Sequence, residues 1–367
     1  MAASWKVPLA LASVGIAALL ARLDREALRD GLMDCFDQVT YRLFVEDCWE
    51  PLEQERNGSR ELASPVHVVY GVGSDDFSAL YSSLLSLARH LAEPRSCEVH
   101  LVVPASDIHE AARLAECLRG ELGVAATPEV RIHELEPTPL NLTSFRETWR
   151  EFWPAGASQL THLAFTKMYL DVYLPKAPRV VWLEPTTIIR HDLAELYRAP
   201  MGGIVAAARD MKWATWRSDY AFVMKRVDES LEALLPDNLD SRLFSTSVLL
   251  VDLARWRDAE LTEKLEAWVN RLGGVKLVPL ALHLELRDGF DELDWRWNVA
   301  GLMMVPPRRC IDNARILHFN GDATPWAANI SSRQKRFYDE LVAPYEPKQR
   351  CDWRGAAGEM LDSDVEI

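Results

Sequence analysis

The sequence predicts an α/β fold built on a doubly wound, mostly parallel mixed sheet. Short apolar runs with the length of strands alternate with amphipathic helical patterns from Val66 onward, which is typical of a parallel sheet covered by helices. Several runs are almost continuously apolar, as strands buried on both faces are. An apolar fraction of 49% over 367 residues is ample for a large core.

The first predicted strand reads V-H-V-V-Y-G-V, from Val66 to Val72. Ser74, Asp75 and Asp76 follow it and can cap the next helix. The apolar face of that helix, at spacings of three and four, consists of Phe77, Leu80, Tyr81, Leu84, Ala88 and Leu91. The elements after it are, in order, a strand at Cys97 to Val103, a helix at Asp107 to Leu122, a strand at Val130 to Leu135 and, after a loop opened by Pro137 and Pro139, a helix at Thr161 to Leu174.

The strand Val180 to Leu183 is the most informative element because it stops abruptly at Glu184, Pro185 and Thr186. A second apolar pair, Ile188 and Ile189, follows, and Asp192 is a predicted helix start. A buried strand that ends in an acid and a turn presents polar groups at the carboxyl edge of a sheet, where open α/β folds bind ligands.

The remaining elements complete the predicted domain. They are strands at Ile204 to Ala208, Phe244 to Val251 and Ile316 to Phe319, and a helix at Asp258 to Leu272. Residues 211–242 lack clear periodicity and are predicted to form an active-site loop. Trp213 and Trp216 in that loop, with Trp326, are candidates for stacking on an acceptor sugar. Trp182, Trp256 and Trp268 lie in apolar patterns and are assigned to the core.

The pattern divides the chain into four parts: a signal anchor or signal peptide at 1–23, a stalk at 24–64, the globular domain at 65–347 and an acidic tail at 348–367. Val7 to Ala21 is uncharged but, at about 22 Å as a helix, shorter than a hydrocarbon core of ~30 Å. We expect a short anchor and hence a single-pass type II membrane protein of the Golgi or ER lumen. A cleaved signal peptide, giving a secreted protein, and an apolar helix of the folded domain are the alternatives. The sequons at Asn57, Asn141 and Asn329 agree with a secretory route and a glycoprotein.

Charge and cysteine content argue against a nucleic-acid partner and against a cysteine zinc cluster. The formal net charge of −14 argues against a nucleic acid, since phosphate binding needs a basic face. The six cysteines include no C-x-x-C pair, which argues against a cysteine zinc cluster. One or two disulfides are possible, and their pairing cannot be read from the sequence.

Four segments resemble motifs of the family 8 glycosyltransferases. R-V-V-W-L-E-P-T-T-I-I-R-H-D-L-A-E-L-Y (179–197) resembles the family's L-D-x-D-V-I-V-x-x-D-L-x-E-L-Y. F-S-T-S-V-L-L-V-D-L-A-R-W (244–256) resembles F-N-x-G-V-x-V-x-x-L-x-x-W, and H-F-N-G-D-A-T-P-W (318–326) resembles H-x-x-G-x-x-K-P-W. W-N-V (297–299) matches a motif of the glycosyltransferase 8 domain-containing branch. Their order and spacing along residues 66–326 identify the chain as a member of the family.

The resemblance implies a GT-A type fold and transfer of a hexosyl group from a UDP-sugar, with retention, to a glycan or glycoprotein acceptor. In that alignment Asp75 and Asp76 would hold the nucleoside. Lys167 replaces an arginine that reaches the donor phosphate or sugar, and Gly321 belongs to the donor-binding H-x-x-G motif. Asp210 matches an acid beside the donor sugar. Purely structural roles are the alternatives: the aspartates could cap a helix, and Lys167 could lie on a solvated helix face.

The resemblance also implies a Mn²⁺ ion on the diphosphate, but half of its site is missing. The two acids of the family's D-x-D align with Glu184 and Thr186, and His318 matches the third ligand. Because hard cations favour several charged oxygens, Mn²⁺ held by Glu184 and His318 stays a hypothesis. Thr324 further replaces a lysine that pairs with the diphosphate. The predicted enzyme is therefore metal-independent or weakly active, and the alternative is an inactive pseudo-glycosyltransferase that binds a glycan, a nucleotide or a protein.

Overall fold

The computed structural model describes residues 65–152, 160–227, 229–273, 277–287, 289–302, 308–320, 324–326 and 332–348, together with residues 39, 48 and 351. The described strands are β1 (Val66–Gly71), β2 (Cys97–Val103), β3 (Glu129–Glu134), β4 (Arg179–Leu183), β5 (Thr187–Ile189), β6 (Val205–Arg209), β7 (Phe244–Asp252), β8 (Asp291–Glu292) and β9 (Ile316–His318). The described α-helices are α1 (Phe77–His90), α2 (Ile108–Leu122), α3 (Leu142–Phe152), α4 (Leu170–Tyr173), α5 (Leu193–Tyr197), α6 (Phe222–Val227), α7 (Leu253–Asp258), α8 (Leu261–Arg271), α9 (Leu277–Leu286), α10 (Arg308–Asn313) and α11 (Ser332–Leu341).

A mixed sheet organises the described domain, in the order β3-β2-β1-β4-β7-β6-β8. Strands β3, β2, β1 and β4 are mutually parallel, whereas β7 runs antiparallel to both of its neighbours, β4 and β6. Strands β5 and β9 form a separate antiparallel pair beside the end of β4. The predicted α/β architecture with a mostly parallel mixed sheet is confirmed.

The sheet is buried on both faces, which explains the nearly continuous apolar runs. Along β1, Val68 and Tyr70 belong to the apolar cluster that includes Leu80 and Leu84 of α1. Val69, which points to the other face, packs in a second cluster with residues of α8 and α9. Alternate side chains of one strand therefore stabilise two separate apolar layers.

Two disulfides link distant parts of the chain. Cys48 is bonded to Cys310 of α10, with a Cα–Cα distance of 5.2 Å. Cys117 of α2 is bonded to Cys351, at 6.0 Å. Among the described cysteines, Cys97 is free and buried.

Two predictions about secondary structure are wrong. Residues 211–242 are not a loop, since they contain a π-helical turn at Arg217–Ala221, helix α6 and a 3₁₀ helix at Glu229–Leu234. Trp216 and Tyr220 pack in an apolar cluster that orders this segment. The predicted helix at 161–174 is instead a 3₁₀ helix, His162–Met168, followed by the single turn α4.

The described helices contradict the prediction of a single-pass type II membrane protein. Of the described helices, α2 is the longest, and its 15 residues span about 22 Å against a hydrocarbon core of ~30 Å. No helix within the described ranges is long and apolar enough to cross a bilayer. The apolar segment 7–21 on which the prediction depended lies outside the described residues. The described residues therefore contain no anchor for the expected Golgi or ER membrane location.

Candidate active site

A cavity of about 370 Å³ opens at the carboxyl edge of the sheet, next to the ends of β1 and β4. Its lining residues are Gly71, Thr161, Leu163, Ala164, Lys167, Trp182, Glu184 and Pro279. Strands β1 and β4 are parallel neighbours, so both chains leave the sheet at this edge. This is the position where open α/β sheets bind ligands, and the volume is within the range of small-molecule sites.

Gly71 and Trp182 shape one wall of the cavity. A Cβ atom at position 71 would lie 2.9 Å from Cη2 of Trp182 and 3.0 Å from Cβ of Thr166. Both distances are shorter than normal carbon contacts. The missing side chain therefore allows the indole ring to lie directly against the end of β1.

Lys167 and Glu184 form an ion pair inside this cavity. The Nζ atom of Lys167 lies 2.8 Å from Oε1 of Glu184 and donates a second hydrogen bond of 3.0 Å to the carbonyl of Thr246. It also lies 5.0 Å from the centre of the Trp182 ring, close enough for a cation–π interaction. Lys167 is only 8% exposed, so its charge is held by these three partners.

The ion pair keeps Glu184 ionised. Burial, the largest single cause, would raise the pKa of Glu184, but the net pKa lies below its ordinary value, and the charge and hydrogen bond of Lys167 are the main causes that lower it. His318 and the Trp182 indole, which donates to the same carboxylate oxygen at 3.4 Å, lower it further. The cavity therefore contains a carboxylate and an ammonium in contact at neutral pH.

The turn after β4 is fixed by backbone and hydroxyl bonds. The amide of Glu184 donates to the carbonyl of Ser247 at 3.0 Å, which continues the β4–β7 pairing by one residue. The hydroxyl of Thr187 donates to the carbonyl of Glu184 at 2.8 Å. The amide of Phe319 donates to the carbonyl of Thr186 at 2.9 Å, which places β9 beside the turn.

His318 approaches Glu184 from β9. Burial lowers the pKa of His318 to about 4; the Glu184 carboxylate opposes this shift and the Lys167 ammonium adds to it. The imidazole is therefore neutral at pH 7. Its Nδ1 atom is buried and makes no hydrogen bond within the described residues. An unsatisfied buried nitrogen of this kind is costly unless a water molecule or a ligand bonds to it.

The expected Mn²⁺ site is a poor fit to these residues. Glu184 supplies one carboxylate, and its charge is already balanced by Lys167 at 2.8 Å. Thr186 supplies no charge. Among the described residues, no group of three His, Cys, Asp or Glu ligands converges at this edge of the sheet. Since Mn²⁺ favours several charged oxygens, these residues offer it a weak ligand set.

Asp75 and Asp76 lie on the rim beyond β1, in a 3₁₀ helix at Ser74–Asp76. Both are exposed, and the side chain of Asp76 makes no capping hydrogen bond to α1. Asp76 thus occupies the N-cap position of α1, as the helix-cap alternative expected, but without a side-chain capping bond. The pKa of Asp76 is raised because neighbouring atoms displace part of its hydration and because Glu184 and Asp75 repel its charge. Because Asp76 follows β1, which is parallel to β4, it lies at the same edge of the sheet as the ion pair.

Asp210 follows β6 at the same edge, two strands away from Glu184. Its amide donates to the carbonyl of Leu243, and its carboxylate accepts from the amide of Met211 at 2.7 Å. Burial raises the pKa of Asp210, with Asp219 adding to the shift. Asp210 thus lies at the carboxyl edge of the sheet, as expected, but it makes no contact with Lys167 or Glu184 among the hydrogen bonds and ion pairs of the described residues. Gly321 lies outside the described residues.

Comparison with known proteins decides the family. The glycosyl transferase family 8 pattern matches residues 77–330. The chain belongs to glycosyl transferase family 8. Relatives in this family include a probable galacturonosyltransferase-like 9 of Arabidopsis thaliana, 25% identical over 357 residues, which cover 92% of this chain and 87% of the relative. The glycosyltransferase 8 domain-containing protein 1 of Xenopus tropicalis is 23% identical over 53% of this chain and 60% of its own length.

Solved structures show the fold of this family 8 chain. A galactosyltransferase, LgtC, in complex with donor and acceptor sugar analogues aligns with a TM-score of 0.55 at 18% identity, covering 79% of this chain and 99% of that one. The bifunctional glycosyltransferase WbbM aligns with a TM-score of 0.54 at 15% identity, covering 77% and 50% respectively. The GT-A fold expected from the sequence motifs is confirmed.

The division of the tryptophans between core and candidate site differs from the sequence prediction. Trp182, assigned to the core, is buried but also lines the cavity. Trp216, an expected acceptor residue, is a core residue in edge-to-face contact with Tyr220. Trp326 packs against Phe319, whereas Trp213 is 47% exposed and stays available as an acceptor candidate.

Sequence reasoning also missed Thr246 and Pro279. Thr246 contributes through its backbone carbonyl, and Pro279 lies in a helix that was not predicted. Neither residue carries a side-chain motif that points to the site. For Trp182, in contrast, the sequence did contain a signal. Trp182 comes two residues before Glu184, and alternate residues of an extended chain share a face, so the indole could have been expected beside Glu184.

Proposed function

We propose that this family 8 chain transfers a hexosyl group from a UDP-sugar to a glycan or glycoprotein acceptor with retention, without a divalent metal ion. The observation that carries the proposal is the Lys167–Glu184 pair in the cavity at the carboxyl edge of the sheet. An ammonium there can supply the positive charge that a departing diphosphate needs.

Lys167 has the hydrogen-bonding capacity for this role. An ammonium has three N–H donors. Glu184 and the Thr246 carbonyl accept two of them among the described residues. The third donor is left for a ligand in the cavity that Lys167 lines, and a phosphate oxygen is a strong acceptor for it.

Other residues would complete the donor site. His318 would donate from Nδ1 to the diphosphate, which would satisfy a nitrogen that is otherwise buried without a partner. Asp75 and Asp76, on the rim, would accept from the ribose hydroxyls or the base. Asp210 would orient the donor sugar, and Gly321 would allow close approach of the diphosphate.

In the transfer step, the bond between the anomeric carbon and the diphosphate oxygen breaks as the acceptor hydroxyl oxygen bonds to the same face of that carbon. The acceptor proton passes to the leaving phosphate oxygen. Negative charge grows on the diphosphate, where Lys167 would stabilise it. Removal of one such stabilising group costs ~10²–10³ in rate.

The decisive experiment measures UDP release and product formation by the purified full chain with a panel of UDP-hexoses. UDP-galacturonic acid and UDP-galactose come first, because the named relatives include a galacturonosyltransferase-like protein and a galactosyltransferase. We expect turnover that is the same with EDTA as with Mn²⁺, and a loss of ~10²-fold or more in Lys167→Met. Turnover that stops in EDTA and returns with Mn²⁺ would reject the metal-independent mechanism.

A second candidate function is a binding module without turnover. The ion pair favours it in one respect, because Glu184 already neutralises Lys167 before any diphosphate arrives. The same experiment separates the two. UDP binding by calorimetry, with no product from any donor in the panel, would support the pseudo-glycosyltransferase.

A further inference from the structure

Three neighbouring parallel strands place a second cluster of titratable side chains on one face of the sheet. His67 of β1 is in register with Glu98 of β2, and His100 follows Glu98 by two residues on the same face. His133 of β3 continues the row beside His100. None of these residues lines the cavity of the candidate active site. Since Val68 pairs with Val181, His67 lies four residues, or about 13 Å, short of the level of Glu184 along the strands.

Three atoms of this cluster converge with the spacing of metal ligands. Nδ1 of His67 lies 3.2 Å from Nε2 of His100. Oε2 of Glu98 lies 3.7 Å from Nδ1 of His67 and 3.8 Å from Nε2 of His100. The equidistant point in the plane of the three atoms lies about 2.1 Å from each, close to the distances that Zn²⁺ takes to imidazole nitrogen and carboxylate oxygen. A tetrahedral ion lies above this plane, so the carboxylate oxygen would move ~0.4 Å closer to the two nitrogens to bind it.

The surrounding residues hold these ligand atoms in place. Nδ1 of His100 lies 2.9 Å from Nε2 of His133, so that with Nε2 facing the ion, the Nδ1–H group of His100 donates to His133. Arg131 donates to the other oxygen of Glu98 at 3.1 Å. Outer partners of this kind fix the tautomer and orientation of metal ligands in known sites.

We propose that His67, Glu98 and His100 form a binding site for a borderline divalent cation of the Zn²⁺ class. Two imidazoles and one carboxylate suit Zn²⁺ better than Mg²⁺, Ca²⁺ or Mn²⁺, which favour oxygen ligands. The three protein ligands leave a fourth position for water or an external ligand. The site is separate from the sugar-nucleotide cavity and does not depend on the proposed transferase activity.

The exposure of the side chains at the cluster agrees with this assignment. The side chains of His67 and Glu98 are partly exposed, which gives an ion an entry route, whereas that of His100 is buried. Without an ion, the same contacts form a row of imidazole hydrogen bonds, and this is the alternative that the experiment must exclude.

Calorimetric titration of the full chain with ZnCl₂, purified without a histidine tag, tests the proposal. We expect one Zn²⁺ per chain in wild type. Glu98→Gln and His67→Gln each remove one ligand and keep a similar side-chain volume, and we expect each to lose affinity ~10-fold or more. His109→Gln is the matched control, because it removes an exposed imidazole of α2 that takes no part in the cluster.

Two results would overturn the proposal: no Zn²⁺ binding by wild type, or equal affinity in wild type, Glu98→Gln and His67→Gln. If the variants fail to fold, the wild-type chain is titrated with Co²⁺ instead, and its visible absorption is measured. Intense visible absorption of four-coordinate Co²⁺, abolished by added Zn²⁺, would support the site. The weak spectrum of hydrated Co²⁺ would overturn it.

Discussion

The ammonium of Lys167 lies 2.8 Å from the carboxylate of Glu184, in the cavity where a family 8 glycosyltransferase is expected to bind its donor diphosphate. The two residues are 17 positions apart and come from different elements, the 3₁₀ helix His162–Met168 and the end of β4. In the metal-independent transfer that we propose, this protein cation would carry the charge that the family's second acid, replaced here by Thr186, helps a metal ion to supply.

We predict that Glu184→Gln destabilises the fold more than Lys167→Met does. The first substitution leaves an ammonium whose side chain is 9% exposed without its counter-charge, whereas the second leaves a carboxylate whose side chain is 30% exposed and can still be hydrated. We expect about 2–4 kcal/mol for Glu184→Gln and about 1–2 kcal/mol for Lys167→Met. Urea unfolding of both variants and the double variant measures these losses and the coupling between the residues.

The control for this comparison is Lys225→Met, which breaks an exposed pair with Glu232 at 3.5 Å. Surface pairs contribute about 0–1 kcal/mol, so its unfolding free energy should stay close to wild type. Equal losses in Glu184→Gln and Lys225→Met would show that the ion pair in the cavity is no stronger than a surface pair.

We also predict that Glu184→Gln binds UDP more tightly than wild type in the presence of EDTA. The substitution removes a negative charge that competes with the diphosphate for Lys167. A gain of about 3- to 10-fold corresponds to ~1 kcal/mol, the Coulomb energy of partly screened charges. Calorimetry with UDP measures it. The same titration with Mn²⁺ in place of EDTA gives the opposing result: a site that depends on Glu184 to hold a metal would bind UDP more weakly in Glu184→Gln than in wild type.

Much of the sheet could be predicted from the sequence because buried strands leave a strong apolar pattern. The predicted strand Cys97 to Val103 is β2, and Val66 to Val72 exceeds β1 by one residue. Asp192 was expected to begin a helix, and its carboxylate does accept from the amide of Ala194 as the N-cap of α5. The antiparallel direction of β7 was not predictable, since alternation of residues is the same in both directions.

The site was only partly predictable because its contacts join residues far apart in sequence. Lys167 and Glu184 were both candidates, but no pattern indicated that they bond to each other rather than to a phosphate and a metal ion. Helix α3 was missed because the loop opened by Pro137 and Pro139 masks its start, where Asn141 accepts from the amide of Ser144. The His67–His100 cluster requires the register of β1 and β2, which the sequence does not determine.

We predict that Gly71→Ala reduces UDP-sugar affinity and destabilises the fold. The added Cβ would lie 2.9 Å from the Trp182 ring, so the indole must move away from the cavity wall that it forms. Overpacking of this kind costs about 1–3 kcal/mol. Calorimetry with UDP and urea unfolding report the two effects.

Gly120→Ala is the matched control for Gly71→Ala. Position 120 is exposed in α2, and a Cβ there meets nothing within 4 Å. Alanine is favoured over glycine in a helix by about 1 kcal/mol, so this variant should be slightly more stable and bind UDP as wild type does. Unchanged UDP affinity in Gly71→Ala would mean that Trp182 does not shape the donor site.

The buried histidine beside the cavity gives a prediction about pH. The Nε2 atom of His283 bonds to the carbonyl of Phe244 at 2.8 Å, and its Nδ1 atom bonds to the hydroxyl of Tyr220 at 2.7 Å. Burial lowers the pKa of His283 from 6.5 to about 4; its backbone hydrogen bonds oppose this shift and the charge of Lys167 adds to it. Between pH 6.5 and pH 4, the unfolded chain therefore binds a proton at this residue that the folded chain does not.

Because the unfolded state gains that proton first, His283 reduces stability progressively as pH falls from 6.5 to 4 and has no further effect below that range. His283→Gln keeps a donor and an acceptor but cannot titrate. We expect the variant to be less stable than wild type at pH 7, and the difference to shrink by roughly 2–3 kcal/mol by pH 4. Tyr220→Phe, which removes the hydrogen bond and keeps the imidazole, should keep the wild-type slope. Urea unfolding at half-unit pH steps measures all three chains, and a constant difference between wild type and His283→Gln would mean that His283 titrates alike in both states.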